Sequence, residues 1–377
     1  MTIVHVVEPF ASGIATFVRS LVEQLRNDTH IVVHGERTQV MKCEEVKLDF
    51  PRRNVCFIRW HRAGREIRLF QDLAALFELL KIFKQLRKER TIDAVHLHSS
   101  KSGFLGRLAA RLAGIRTVIY TPNGAPFLSG SRFACFLYRQ LEKIATFFGG
   151  QVVCCSHSEW QAYHDIGINA VYINNGVSVR RSRKKLAPPG RKFRIVTCGR
   201  VVAQKNPVLF NTIASYFESF DDFEFIWIGG GPDRELLSAR NITVTGWLPI
   251  RETERMLATA SVFLSTSSFE GMPFAALEAL VLRKPVLLKD CTGNRDIVAG
   301  GINGDLFATS EEAILSILRY YANREMLSVM GEYSKHYCEQ QFDVRTTTDA
   351  YRYLYRNAPT GILREKTHLF TYASNRR

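Results

Sequence analysis

Two acids and two cations stand out by their spacing. Glu270 and Glu278 enclose seven residues in the run Ser267-Ser268-Phe269-Glu270-Gly271-Met272-Pro273-Phe274-Ala275-Ala276-Leu277-Glu278. Pro273 suits the first turn of a helix, which would put the backbone N–H groups of residues 271–275 at a dipole-positive end. Such an end binds anionic or hydroxyl-rich groups. Glu278 then falls in the second turn, flanked by Ala275, Ala276, Leu277, Ala279 and Leu280. Taken alone, the two acids read as an exposed pair on one helix. Arg200 and Lys205 belong to Gly199-Arg200-Val201-Val202-Ala203-Gln204-Lys205-Asn206-Pro207. A glycine at a strand end lets a ligand approach the backbone, and two fixed cations stabilise charge developing on a departing diphosphate. Gly229-Gly230-Gly231-Pro232 is a second glycine turn after an apolar run, and Gly246-Trp247 a third.

These groups need strands to carry them. Residues 3–7, 31–34, 94–97, 118–120, 152–155 and 171–173 read as short strands. Apolar residues at helical spacing fill 14–25, 69–86 and 103–112 between them. Residues 180–192 are basic and broken by Pro188, Pro189 and Gly190, so they read as a linker. The alternation restarts with strands at 193–197, 224–228, 242–245, 262–264 and 285–288. The fold class is therefore α/β, with two doubly wound Rossmann-like domains and a cleft between them. The expected divisions are 1–180, a linker at 181–192, 193–345, and a final helix with a polar tail at 346–377.

Composition narrows the function classes. In 377 residues, 46% are hydrophobic and 23% charged, as in an ordinary globular protein. The apolar N-terminal run has no basic region before it and reads as a first strand, not a signal peptide. The eight cysteines form no C-x-x-C pair and read as reduced thiols. Residues 1–185 hold 28 Lys+Arg against 15 Asp+Glu, a net +13 out of +15 for the chain. The first half should therefore meet something anionic. Within it, 51–90 mixes Arg52, Arg53, Arg59, His61, Arg62, Arg65 and Arg68 with Phe57, Ile58, Trp60 and Ile67. That mixture reads as solvated surface or as a membrane-interface contact.

The ordered motifs resemble the family-4 retaining glycosyltransferases, which have the GT-B fold. Glu270 and Glu278 match the family's E-x7-E motif. The resemblance implies that Glu270 approaches the donor sugar and Glu278 binds the nucleotide ribose. Arg200 and Lys205 match its phosphate motif and imply pyrophosphate ligands. By the same resemblance Gly271, Met272, Pro273, Phe274, Gly199, Gly229, Gly230 and Trp247 border the donor, as does Gly13 in the first-domain loop, where the family carries paired glycines. Asn175-Gly176-Val177 resembles the segment that closes the first domain.

His98-Ser99-Ser100-Lys101 and Tyr120-Thr121-Pro122-Asn123-Gly124 are similar to bacterial members that build O-antigen or capsule on lipid-diphosphate carriers. His98, Lys101 and Asn123 are thus the acceptor-site candidates. Asn123 stands where relatives carry histidine, and an amide cannot titrate near neutral pH. The implied reaction is metal-independent transfer, with retention, from a nucleotide sugar such as a UDP-sugar to a lipid-linked saccharide. No cofactor and no nucleic-acid partner are expected. The expected location is cytoplasmic, peripheral on the inner face of an anionic membrane. Two alternatives are a GT-B relative with other chemistry (a nucleotide-sugar 2-epimerase or DNA glucosyltransferase) and a non-catalytic transferase-like partner protein.

Overall fold

Short β-branched runs separated by amphipathic helices favour parallel pairing, because each crossover helix covers a sheet face. The computed structural model describes residues 1–36, 43–64, 67–128, 130–179 and 192–357. All of the expected linker except Lys192, the tail from 358, and Arg65 lie outside the described residues.

The chain divides into two units, residues 1–175 with 344–377, and 176–343. In the first, β1 (Thr2–Val7), α1 (Ser12–Gln24), β2 (Thr29–His34), α2 (Cys43–Leu48), β3 (Val55–Arg59), α3 (Leu69–Glu89), β4 (Ala94–His98), α4 (Ser100–Leu112), β5 (Val118–Thr121), α5 (Arg132–Thr146), β6 (Gln151–Cys154), α6 (His157–Asp165) and β7 (Ala170–Tyr172) follow in order. The strands form a parallel sheet in the order β3-β2-β1-β4-β5-β6-β7. Val4, Val6, Val95 and Leu97 face the core under α3 and α4, with Leu79 and Phe83 of α3. The alternate residues, His5, His96 and His98, point to the opposite face.

The second unit contains β8 (Phe193–Cys198), α7 (Pro207–Tyr216), β9 (Phe223–Ile228), β10 (Ile242–Gly246), α8 (Ile250–Ala258), β11 (Val262–Ser265), α9 (Phe274–Val281), β12 (Val286–Lys289), β13 (Gly304–Phe307), α10 (Ser310–Ala322) and α11 (Arg324–Gln341). Its parallel sheet has the order β10-β9-β8-β11-β12-β13. In both sheets the strand order reverses beside the first strand, between β1 and β4 and between β8 and β11. Ligands of doubly wound sheets sit beyond the carboxyl ends of strands at such points.

Two expectations change. The last helix, α12 (Val344–Asn357), is part of the first unit rather than a separate appendage. Tyr351 packs edge-on against Phe17 of α1, and Thr347 donates to Asn174 O at 2.8 Å. The boundaries by contact are therefore 175/176 and 343/344. The basic stretch at 51–90 is also more than surface. Val55–Arg59 is an edge strand, and Trp60 is fully buried with its indole N–H donating to Ala75 O at 3.0 Å. Trp60 therefore touches no membrane.

Candidate functional site

The second unit brings its motifs to one place, the carboxyl ends of β8 and β11. From β8 the chain turns at Gly199, passes the half-buried Arg200, and makes one short helical turn at Ala203–Lys205. From β11 it runs through Thr266 to Glu270 and into α9. The two loops are tied together. Ser268 N–H donates to Gln204 O at 2.9 Å, Gln204 Nε2 to Phe269 O at 3.1 Å, and Thr266 Oγ1 to Lys205 O at 2.8 Å. Lys205 Nζ then meets Glu270 Oε1 at 2.6 Å, with the two side chains 22% and 9% exposed. A charge-assisted bond at that distance fixes both heads.

Glu278 lies in the second turn of α9 as expected, half-buried. It shares the neighbourhood of Lys205, because both act on Cys198 at the end of β8. Burial, reinforced by Glu278 and opposed by Lys205, pushes the Cys198 thiol up to about 12. Burial and then Glu270 likewise push Cys291 up to about 12. Both sulfurs stay protonated at neutral pH, so neither is a nucleophile there. Pro273 is the residue preceding the helix rather than part of its first turn. Met272 and Phe274 are buried, at 3% and 8% exposure, so their side chains serve packing.

Gly229 is required by a close approach. At φ 134°, an added Cβ would lie 2.1 Å from Gly199 O. Gly230 is under no such constraint, since its nearest neighbour would be Trp247 Nε1 at 3.7 Å. Trp247 is 40% exposed beside that turn. One contributor escaped the sequence reading. Thr292 O accepts from Glu270 N–H at 3.0 Å, and Gly293, at φ 84°, leaves room for Gly271 O. Its only signal was a glycine five residues past the predicted strand at 285–288.

In the first unit the candidates separate. Gly13 is exposed in the first turn of α1, which has no side-chain cap. Lys101 lies in the first turn of α4 and pairs with Asp72 of α3 at 2.6 Å. Asn123 sits at φ 57° and its Nδ2 donates to Thr121 O at 3.1 Å, which shapes its own turn. His98 is a correction. It is fully buried and offers no exposed ring atom to an acceptor.

His98 instead ends a chain of buried imidazoles. His30 Nε2 lies 3.2 Å from Leu25 O, so it carries the proton and donates to that carbonyl. His30 Nδ1 then accepts from His5 Nε2 at 3.0 Å, and His5 Nδ1 from His98 Nε2 at 3.2 Å. His98 Nδ1 is left as a bare acceptor without a partner among the described residues. His96 spans Tyr355 OH at 2.7 Å and Thr121 Oγ1 at 2.8 Å. Ligand nitrogens of His5, His96 and His98 lie within 4.8 Å of one another, close enough to hold a cation, but the hydrogen bonds already occupy most of them. Burial holds His5 and His96 well below the usual histidine range and His98 at about 3.

Two parallel sheets of this order, the second with the Lys205–Glu270 pair at its strand-order reversal, have the architecture of the GT-B fold. Residues 12–176 match the family described as glycosyl transferase 4-like domain, and residues 178–337 match glycosyl transferases group 1. The chain belongs to the family-4 glycosyltransferases. It is 27% identical to the Escherichia coli UDP-Gal:alpha-D-GlcNAc-diphosphoundecaprenol alpha-1,3-galactosyltransferase, over 77% of this chain and 81% of that one. An Escherichia coli O-antigen biosynthesis glycosyltransferase, WbnH, is 25% identical over 66% and 71%. Among solved structures, sucrose-phosphate synthase from Thermosynechococcus elongatus matches with TM-score 0.77 at 15% identity, covering 95% of this chain and 99% of that one. Anabaena HepE in complex with UDP and glucose matches with TM-score 0.73 at 16% identity, over 93% and 98%. At these identities the likeness shows the fold. No helix among the described residues is long and apolar enough to cross a membrane.

Proposed function

We propose that this glycosyltransferase moves a sugar from a UDP-sugar to a lipid-linked saccharide during bacterial surface polysaccharide assembly. The observation that carries the reading is the Lys205–Glu270 pair at the β8–β11 reversal, with Glu278 beside it. In this reading Lys205 and Arg200 neutralise the departing diphosphate, and their fixed charge takes the role a metal ion has elsewhere. Glu270 stands toward the donor sugar and Glu278 toward the ribose. Gly199, Gly229 and Gly230 let the nucleotide approach the backbone, and Trp247 offers an aromatic face to its base. The stereochemical course is retention, with the leaving phosphate helping to deprotonate the acceptor.

The acceptor and the membrane enter by likeness. The Escherichia coli relative's name specifies a diphosphoundecaprenol-linked acceptor. A basic first unit suits an anionic lipid surface, and the protein works there as a peripheral enzyme. A thermal-shift panel of nucleoside diphosphates and nucleotide sugars tests the donor assignment. Ligand at 100 times its Kd adds about 2.7 kcal/mol of stability. UDP and one UDP-sugar should raise the melting temperature of the second unit. No shift with any uridine nucleotide would remove the assignment.

A further inference from the structure

Pro122, Asn123 and Gly124 make the turn that leaves β5. Thr121, the last residue of β5, pairs with His98 of β4. The turn therefore lies at the carboxyl end of the sheet, one strand from the reversal between β1 and β4. Asn123 at φ 57° and Gly124 at φ 110° are both in the left-handed region. An asparagine pays for that conformation, so a turn built this way needs outside support to keep one shape. At its root Thr121 Oγ1 bonds His96 Nε2 at 2.8 Å and lies 3.1 Å from Tyr351 OH.

The support at the tip comes from α6. Glu159 Oε1 accepts from Gly124 N–H at 2.7 Å. Its Oε2 accepts from Cys155 N–H at 2.8 Å, with the Cys155 thiol 3.2 Å away. Ser156 is the N-cap of α6 and already accepts from Glu159 N–H at 3.1 Å. In a capping box the acid at this position turns back to the backbone N–H of its own N-cap. Here it reaches past the cap, to Cys155 and across to the β5 turn. The carboxyl group is fully buried and pairs with no cation among the described residues. Burial raises its pKa, donation from Cys155 and Gly124 opposes the rise, and nearby Glu142 adds to it. Burying an acid without a cation is costly, and the helix is capped without it. What the carboxylate adds is the fixed position of the turn.

That turn presents Asn123, which is half-buried. Its Nδ2 is engaged by Thr121 O at 3.1 Å, which fixes the orientation of the amide. Oδ1 remains as a hydrogen-bond acceptor on the solvent side. An acceptor of that kind suits a sugar hydroxyl, which donates one hydrogen bond.

We propose that Glu159 is a positioning residue for sugar transfer. Through Gly124 N–H it locks the β5 turn so that Asn123 Oδ1 accepts from a hydroxyl of the acceptor saccharide. This rests on reading Asn123 as an acceptor-site residue and adds the group that holds it in place.

Initial-rate transfer by the full-length protein from UDP-galactose to N-acetylglucosaminyl diphosphoundecaprenol, with KM measured for each substrate, tests it. Glu159→Gln keeps the shape but turns one accepting oxygen into a donor, so Gly124 or Cys155 N–H loses its partner. The acceptor KM should rise about tenfold or more. The donor KM should stay within about twofold, and the UDP-induced thermal shift should stay as in the parent. Asn123→Ala should raise the acceptor KM to a similar degree. Adding Glu159→Gln to it should cost less than about twofold more, because one residue acts through the other. Should Glu159→Gln fail to fold, Gly124→Ala is read in its place. A side chain is disfavoured at φ 110°, so this variant moves the same turn and should raise the acceptor KM alone. A parent-like acceptor KM in these turn variants, equal changes in both KM values, or multiplied losses in the double variant overturns the proposal and leaves the role of Asn123 standing. A parent-like acceptor KM in Asn123→Ala strikes the reading of Asn123, and the proposal with it. No transfer by the parent would strike the acceptor assignment on which both rest.

Discussion

Acid should unfold the first unit well before ordinary carboxylate titration does. His98 is fully buried and held at about 3, against 6.5 for an unperturbed histidine. Because the folded value is the lower one, the unfolded chain binds the extra proton. Stability is therefore complete above the unfolded pKa and falls as pH drops below about 6.5, until the folded pKa near 3 is passed. Each unit of pH in that window is worth about 1.36 kcal/mol. From neutral pH to pH 5, His98 alone should remove about 2 kcal/mol, a sizeable part of the ~5–15 kcal/mol that holds a domain together. His5 and His96, displaced in the same direction by burial, add losses of the same sign. Asp and Glu facing this cluster do not cancel the effect, since Asp28 near His30 raises only that one ring against a larger desolvation. Urea unfolding followed by circular dichroism between pH 7.5 and 5 measures the slope. Comparison with His98→Gln isolates one imidazole, whose variant should show a shallower pH dependence whatever its absolute stability. A flat profile from pH 7.5 to 5, or a resonance assigned to His98 that titrates near 6.5 in the folded protein, would refute the reasoning.

Lys205→Ala should lower turnover by about 10²–10³-fold through loss of charge stabilisation. It should also cost about 1–3 kcal/mol in urea unfolding, since Glu270 at 7% exposure is left without its cation. Full transferase activity in Lys205→Ala or in Glu278→Ala would contradict the site. Gly229→Ala should cost at least about 1–3 kcal/mol, because a Cβ there meets Gly199 O. Gly230→Ala should be nearly neutral in melting temperature. Equal effects at the two glycines would show that the turn relaxes around the added methyl.

Much of the fold was legible in the residues. Strands such as Ala94–His98 and helices such as Leu69–Glu89 carry short-range patterns, and local sterics and periodicity act over a few residues. The edge strand Val55–Arg59 was hidden because the charges around it, Arg52, Arg53 and Arg62, resemble a surface loop. What makes it a strand is pairing with β2, a partner that its own sequence does not encode.

The motifs proposed for the donor side were readable as local patterns. Glu270, Glu278, Arg200 and Lys205 belong to two local patterns, and each pattern survives as a turn or a helix on its own. Only the tertiary structure decided that Lys205 pairs with Glu270, sixty-five positions away, since parallel strands bring their carboxyl ends together whatever the separation along the chain. It also decided against His98, whose neighbours in sequence are polar serines while its neighbours in space are imidazoles and Phe17. Burial is a property of what packs over a residue. α12, arriving from the far end of the chain, helps build that cover, and nothing within a few residues of His98 announces it.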